Sequence, residues 1–337
     1  MLTECYEREL KARGLEGSVL AFRALGKSNI EFAKEAFDQI QAFGECGVVG
    51  LDISGFFDNL DHSILKQKWA AILGQSSLPS DHYNVFKSIT KWSSVYRDEL
   101  YQALGISKHN PKNGRYRVCS PKEFRQKVRG GGLIKKNIAA KGIPQGSPIS
   151  ALLSNIYMLN LDQEVYEMIT ALGGRYYRYC DDMLFIVPLS WRDNVAGEVV
   201  KKIKALRIEI NTKKTERRTF TYLNKRLLSD KPLQYLGFLF NGEEVTIRSA
   251  ALARYSERMK RGVRLAKLTK IKKNRLKIAS GRKPTKLYKR KLYEKYSHLG
   301  QRNFVRYGFR AADIMNSKAI KRQLTPLWNR LIEEIKK

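Results

Sequence analysis

Two adjacent carboxylates, Asp181 and Asp182, sit in the stretch YYRYCDDMLF at 176–185, between an aromatic run and an apolar one. Two acids side by side in an apolar setting repel each other and lose hydration. A divalent cation relieves both costs, and hard oxygen ligands favour magnesium. A solvated hairpin tip is the other reading, since Asp is a common turn residue. A third acid, Asp52, ends the apolar stretch GVVGLDI at 47–53. If that strand and the hairpin are neighbours in one sheet, three carboxylates can converge. Such a cluster holds two metal ions about 4 Å apart for in-line phosphoryl transfer. One ion would activate a 3′-hydroxyl; the other would hold a triphosphate and its pyrophosphate leaving group. Taken alone, Asp52 also suits a turn or a cap.

The elements that must position these acids are partly readable. Gly173-Gly174 and Pro188 bracket the block, so it is expected to be a β-hairpin with an acidic tip. Residues 1–45 are expected to be helical, with Ile30, Ala33, Phe37 and Ile40 at helical spacing. The polar break RALGKSN at 23–29 offers Ser28 or Asn29 as an N-cap. Asp61 can cap a helix from His62 to about Leu73, and a further helical segment lies within 75–100. Residues 101–140 are polar and basic with scattered Gly, and read as an irregular insertion or short hairpins. GIPQGS at 142–147 is expected to open a helix from about Pro148 to Ile169, with Pro148 in its first turn. A helix near 192–206, a short strand Arg207–Ile210 and a second hairpin over 233–247 complete the pattern.

Charge dominates the composition. The 337 residues hold 64 Lys+Arg against 32 Asp+Glu, a net charge of +32. From Arg248 to Lys337 the count is 28 basic against 5 acidic residues. That last quarter reads as three helices, broken at 280–284 and near Tyr307-Gly308. So strong an imbalance repels itself unless a polyanion shares the surface, which points to nucleic acid. A membrane surface would be the alternative for a basic chain. However, no apolar run approaches a spanning length, and no signal-peptide core or clean amphipathic basic helix is present. A hydrophobic share of 43% is enough for a core of one large domain or two modest ones. Cys5, Cys46, Cys119 and Cys180 lie far apart without a CxxC pair, as reduced thiols in a cytoplasmic chain would.

Four stretches in order resemble the palm motifs of reverse transcriptases: LDISGFFDNLDH at 51–62, GIPQGSPIS at 142–150, YCDD at 179–182 and LQYLGFLF at 233–240. NTKKT at 211–215 is similar to the motif that lies between the last two, and the resemblance runs from about residue 20 to 250. It implies an α+β right-hand polymerase. Residues 1–45 would be a helical remnant of the fingers and 46–247 the palm, with an antiparallel sheet and the YCDD hairpin. Residues 75–140 would be a fingers or insertion segment, and 248–337 a basic three-helix thumb.

The resemblance also implies roles. Asp52 and Asp181 would be the principal ligands of two Mg²⁺ ions, with Asp182 and the Ile53 carbonyl completing the set. Phe57 matches the aromatic gate that excludes a ribose 2′-hydroxyl, although a core aromatic would read the same. Gln145 and Gly146 match the nucleotide pocket; a Pro-flanked turn is the plainer reading. Lys214 falls near the triphosphate, or is a solvated lysine in a basic chain. Tyr179 would rest against the primer end, and Tyr235 to Phe238, with Gly237, would form the primer grip. Partners would be dNTPs, an RNA template and the RNA–DNA duplex, with Tyr288, Tyr293, Tyr296 and Tyr307 on the thumb for packing or sugar contacts.

The sequence departs from the family's pattern before residue 20, where no basic, proline-containing fingers motif is visible and the chain reads as starting late. Arg23 or Lys27 would be the substitutes at the triphosphate, although a plain surface charge is the simpler reading of each. No VTG tripeptide of the retron kind lies near the thumb, and no maturase region follows it. AFRALGKSNIEFA at 21–33, the NGR-containing insertion and SNIYMLNLDQ at 154–163 are instead similar to defence-associated enzymes of the type 2 or abortive-infection kind. That likeness implies a structured noncoding RNA as template and a role in bacterial antiphage defence. Retron or group II intron enzymes, an RNA-synthesising palm polymerase and a catalytically silent RNA-binding scaffold are the competing readings, with bulky Phe57 opposing ribonucleotides. The oligomeric state has no sequence signature here.

Overall fold

The computed structural model describes all 337 residues. In chain order the first half holds α1 (Leu2–Ala12), α2 (Asn29–Phe43), β1 (Cys46–Asp52), the single turn α3 (Phe56–Asn59), α4 (His62–Ile72), α5 (Ser80–Thr90), β2 (Ser93–Ser94), α6 (Arg97–Ala103), the turn α7 (Pro121–Glu123), β3 (Lys135–Lys136) and α8 (Ser150–Ala171). The second half holds β4 (Arg175–Tyr179), β5 (Asp182–Val187), α9 (Arg192–Ala205), β6 (Glu216–Leu223), β7 (Arg226–Ser229), β8 (Leu233–Tyr235), β9 (Phe238–Phe240), β10 (Val245–Ile247), α10 (Ser249–Ala279), α11 (Arg290–Tyr296), α12 (Phe304–Ile314), α13 (Lys318–Leu324) and α14 (Pro326–Lys336).

The architecture is α+β around a five-stranded antiparallel sheet of order β4-β5-β1-β6-β7. β1 and β5 are nearly continuous apolar runs because both faces of the sheet are covered. Side chains alternate between those faces. Val49, Leu51, Met183, Phe185 and Val187 enter one core, with α1, α4, α8 and α9. Cys46, Val48, Leu184 and Ile186 enter the other, with α2, the three-stranded sheet β10-β9-β8 and the C-terminal helices. α1 and α2 thus serve opposite faces. No helix is long and apolar enough to cross a membrane.

Local signals explain most boundaries. Ser28 begins α2 through a capping box with Glu31, and Asp61 begins α4 by accepting from the Ser63 and Ile64 amides. Several expectations need correction. α8 starts at Ser150, not Pro148, because Gln145-Gly146 and Pro148-Ile149 each form a turn and the Ser150 hydroxyl donates to the Pro144 carbonyl. Arg207–Ile210 contributes only a bridge between Ile210 and Ile53, with Arg207 at φ +55 breaking the extended run. The β6–β7 hairpin was not anticipated, although Asn224-Lys225, both at positive φ, supply its two-residue turn. Within 101–140 a capping box between Ser120 and Glu123 starts a helical turn, and β3 pairs back onto β2, which precedes the segment.

The C-terminal region has five helices rather than three. The break after Ala279 is present, but α12 runs straight through Gly308. That glycine serves close packing: a Cβ there would meet a Leu324 methyl of α13 at 2.8 Å. The unanticipated breaks are marked by Asn303 and Ser317, which cap α12 and α13, and by Pro326 at the start of α14.

Candidate active site

The acidic hairpin is built on a buried ion pair. β4 and β5 pair Tyr179 with Asp182, leaving Cys180-Asp181 as a two-residue tip with Cys180 at φ +60. Beneath it, the Arg178 guanidinium and the Asp162 carboxylate are both 0% exposed. Arg178 Nη2 and Nε donate to the two Asp162 oxygens at 2.6 and 2.7 Å. Its Nη1 reaches the Asn155 amide oxygen and the Cys180 carbonyl, both at 3.1 Å. The Tyr176 hydroxyl donates to Asp162 at 2.7 Å. One side chain therefore ties α8 to the backbone of the acidic tip. Reading the sequence missed this network. Its signal was an arginine in an apolar strand and an aspartate on an apolar helix, charges that are buried only when paired.

Asp52 and Asp182 are direct cross-strand partners at the end of β1 and β5. Like charges so placed destabilise a sheet. Asp181 joins them through the backbone, its carbonyl accepting from the Ile53 amide at 3.1 Å, while the Asp52 carbonyl accepts from Asn211 at 2.7 Å. Lys214, 63% exposed on a short 3-10 turn, places Nζ 3.0 Å from both Asp52 oxygens. Burial, then Asp181 and Asp52, push the Asp182 carboxyl up to about 6. A cleft of about 560 Å³ opens here, lined by Asp52, Asp182, Lys214, Tyr235, Gly237 and Arg248 among others.

The donor set fits a hard divalent cation: two opposed carboxylates, a third one residue away, and an Ile53 carbonyl that accepts no hydrogen bond from the protein. No three acidic, imidazole or thiol groups are close enough to enclose an ion as they stand, and the Lys214 ammonium supplies the local positive charge.

A pH dependence follows. Asp182 binds its proton more tightly folded than unfolded, so its contribution to stability falls as pH rises from about 4 through about 6. In chelator, Asp182→Asn is therefore expected to melt several degrees above the parent at pH 8. The gap should close toward pH 4, and thermal melts across pH check it; a gap independent of pH would contradict the assignment.

The residues expected on the nucleotide side, Phe57, Gln145 and Gly146, lie on a neighbouring shelf. Residues 140–143 are stapled along 57–62 by the Asp61–Lys141 bridge and by Gly142 and Ile143 amides donating to Leu60 and Phe57 carbonyls at 2.8 and 2.9 Å. Gly142, at φ +85, is required there, since a Cβ would meet the Asp58 carbonyl oxygen at 2.8 Å. Gln145 and Gly146 form the exposed turn beyond, with Gly146 at φ +97. Phe57 is half-buried, its ring 5.6 Å from that of Phe56. Phe57, Gln145, Gly146, Tyr179 and Asp181 do not line the 560 Å³ cleft.

On the other side, Tyr179 is half-buried with its ring 5.9 Å from Phe32. Tyr235 is buried with its hydroxyl unpartnered, and burial beside Asp182 raises its pKa. Gly237, at φ +94, turns β8 into β9, and its carbonyl accepts from the Arg248 amide at 3.3 Å. Arg23 and Lys27 are committed elsewhere. Arg23 grips the Glu7 carboxylate and the Val19 and Glu16 carbonyls, and Lys27 pairs with Glu35.

Residues 18–240 match the family described as reverse transcriptase (RNA-dependent DNA polymerase). No match is found among curated proteins. Among solved structures, an apo telomerase from Candida tropicalis aligns at 12% identity and a TM-score of 0.45, covering 99% of this chain and 50% of that one. A C-terminally truncated form of it gives 11% and 0.44, covering 73% and 45%. A Candida albicans telomerase in complex with a TWJ fragment of telomeric RNA gives 13% and 0.43, covering 98% and 55%. The chain spans about half the length of these structures.

Proposed function

The chain belongs to the reverse transcriptase family, and from that premise we propose that it copies an RNA template into DNA at the carboxylate cleft. The observation that carries this reading is the pairing of Asp52 with Asp182 across β1 and β5, inside the matched region and facing Lys214. Opposed acids at that cost to the sheet make sense where a cation is to be held.

In this reading residues 46–247 are the palm, 75–140 its fingers or insertion segment, 1–45 a fingers remnant and 248–337 the thumb. Asp52, Asp181, Asp182 and the Ile53 carbonyl would hold two Mg²⁺ ions, which when bound neutralise and align the reacting oxygens. Lys214 neutralises Asp52 and, on its exposed turn, is free to swing toward a triphosphate. Phe57, Gln145 and Gly146 would form the bed of the dNTP. Tyr179, Tyr235 and Gly237 would support the primer end, with Asn29 bracing the neighbouring Leu236 carbonyl at 3.0 Å.

The thumb assignment is supported by two clefts of about 730 and 770 Å³, one lined by Arg306 and Arg310 and the other by Arg254, Arg258 and Arg261, with Arg302 at both. Arginine rows of this kind suit phosphate contacts that ignore base sequence. Tyr288 is exposed and available to a duplex, whereas Tyr296 is buried and Tyr307 is tied to Asn29. Affinity for an RNA–DNA duplex is expected to drop by about 10³-fold or more between 50 and 200 mM salt, measured by fluorescence anisotropy. A flat salt profile would remove the thumb assignment.

The finer reading takes a structured noncoding RNA as the template and bacterial antiphage defence as the setting, on the likeness of residues 21–33 and 154–163 to that subclass. Primer extension on RNA tests the activity: it should require dNTPs, stop on chelation and resume on adding Mg²⁺. Sequencing RNA that copurifies with the protein tests the template; bulk cellular RNA without an enriched structured species would count against it.

A further inference from the structure

We propose that Phe22 is a positioning residue for Phe57, so that discrimination between deoxyribose and ribose depends on the aromatic pair; this rests on reading Phe57 as the sugar gate. Phe22 is 50% exposed and sits at φ +63, a left-handed conformation that bulky aromatic residues rarely adopt. An exposed aromatic held in a strained backbone is the kind of outlier that marks a function. Its ring lies 6.2 Å from the Phe57 ring at 67°, an edge-to-face contact.

The backbone around Phe22 is pinned on both sides. Arg178 of β4 exchanges hydrogen bonds with this segment, its amide donating to Ser18 at 2.8 Å and its carbonyl accepting from Leu20 at 2.9 Å. The Asn155 amide donates to the Ala21 carbonyl at 3.0 Å. Next to it, the buried Arg23 side chain ties back to the Val19 carbonyl at 2.7 Å and to Glu7. Ala21 and Arg23 therefore point inward and are locked, which leaves the Phe22 ring outside the core against Phe57.

Phe57 has further contacts of its own. Its carbonyl accepts from Ile143 at 2.9 Å, and its ring meets buried Phe56. The Phe22 ring meets the Phe57 ring edge-on. A gate that must reject a single oxygen atom has to keep one rotamer, because a ring free to turn away yields the space it is meant to occupy. Arg178, whose backbone pairs with Phe22's segment, also holds the acidic tip through the Cys180 carbonyl, and Asn155 bonds both Ala21 and Arg178. Gate and carboxylates are thus referenced to one buried frame.

The test is single-nucleotide incorporation on an RNA template, with kcat/KM for a dNTP and the matching rNTP measured on the parent and four variants. Phe57→Ala is the reference and should relax discrimination most. Phe22→Ala should relax it by about tenfold, the scale of one lost apolar contact in a specificity pocket, with dNTP incorporation changed less than its ratio to rNTP. Phe22→Gly, which suits φ +63 and removes the whole side chain, should match Phe22→Ala and covers the case in which the alanine variant folds poorly. The Phe22→Ala/Phe57→Ala double variant should be no more permissive than Phe57→Ala, since Phe22 acts only through that ring. If Phe57→Ala leaves discrimination intact, the gate reading itself is wrong. If Phe57→Ala relaxes it while both Phe22 variants keep parental discrimination, the role of Phe22 is overturned.

Discussion

Replacing Asp52 by alanine is expected to lower RNA-templated primer extension by at least about 10³-fold, the scale of losing a group that stabilises transition-state charge. The same change is expected to leave the thermal midpoint unchanged or higher. Asp52 is the direct cross-strand partner of Asp182 and one of the charges that raise its pKa, so its removal relieves a repulsion. It also frees Lys214 from its contact with both carboxylate oxygens. Activity lost with stability kept marks a functional acid, whereas a structural acid would lose both. Extension kinetics and a melt on the same preparation check the pair of outcomes. A variant that is active, or inactive only because it is unfolded, would count against the site.

Asp162→Ala is expected to destabilise the protein by about 3–5 kcal/mol, because it strands a fully buried guanidinium. Denaturant melts read this directly. The paired change Asp162→Leu with Arg178→Met should recover much of the stability, since an apolar pair of similar volume carries no desolvation cost. It should not recover full activity. The Cys180 carbonyl would lose the Nη1 donor that holds the acidic tip, and the Asn155 oxygen would lose its partner. If the paired variant is both stable and fully active, the network serves folding alone.

The acids of the candidate site were more legible than the contacts that support them. Asp52, Asp181 and Asp182 were singled out by type and by the apolar runs around them, and the expected sheet neighbourhood is what β1 and β5 show, with Asp52 opposite Asp182. Asp61 and Ser28 were readable as caps because their side chains satisfy amides a few residues on, a local interaction. Arg178 with Asp162, and Phe22 with Phe57, were not, because each pairing spans elements far apart in sequence. Gly308 misled for the same reason: what it accommodates is Leu324 of the next helix. The β6–β7 hairpin was overlooked within a basic stretch, where Asn224-Lys225 carries the turn without a glycine.

The extra C-terminal helices follow from caps that lie inside what looked like continuous helical pattern, at Asn303 and Ser317. Dividing the basic region into one long and four short helices still leaves arginines lining two clefts.

The most direct measurement is extension of a primer annealed to RNA, with dNTPs and Mg²⁺, by the parent and by the Asp181→Ala/Asp182→Ala double variant. Full-length product from the parent and none from the variant is the expected result. Extension by the double variant at the parental rate would contradict the placement of catalysis at the acidic hairpin.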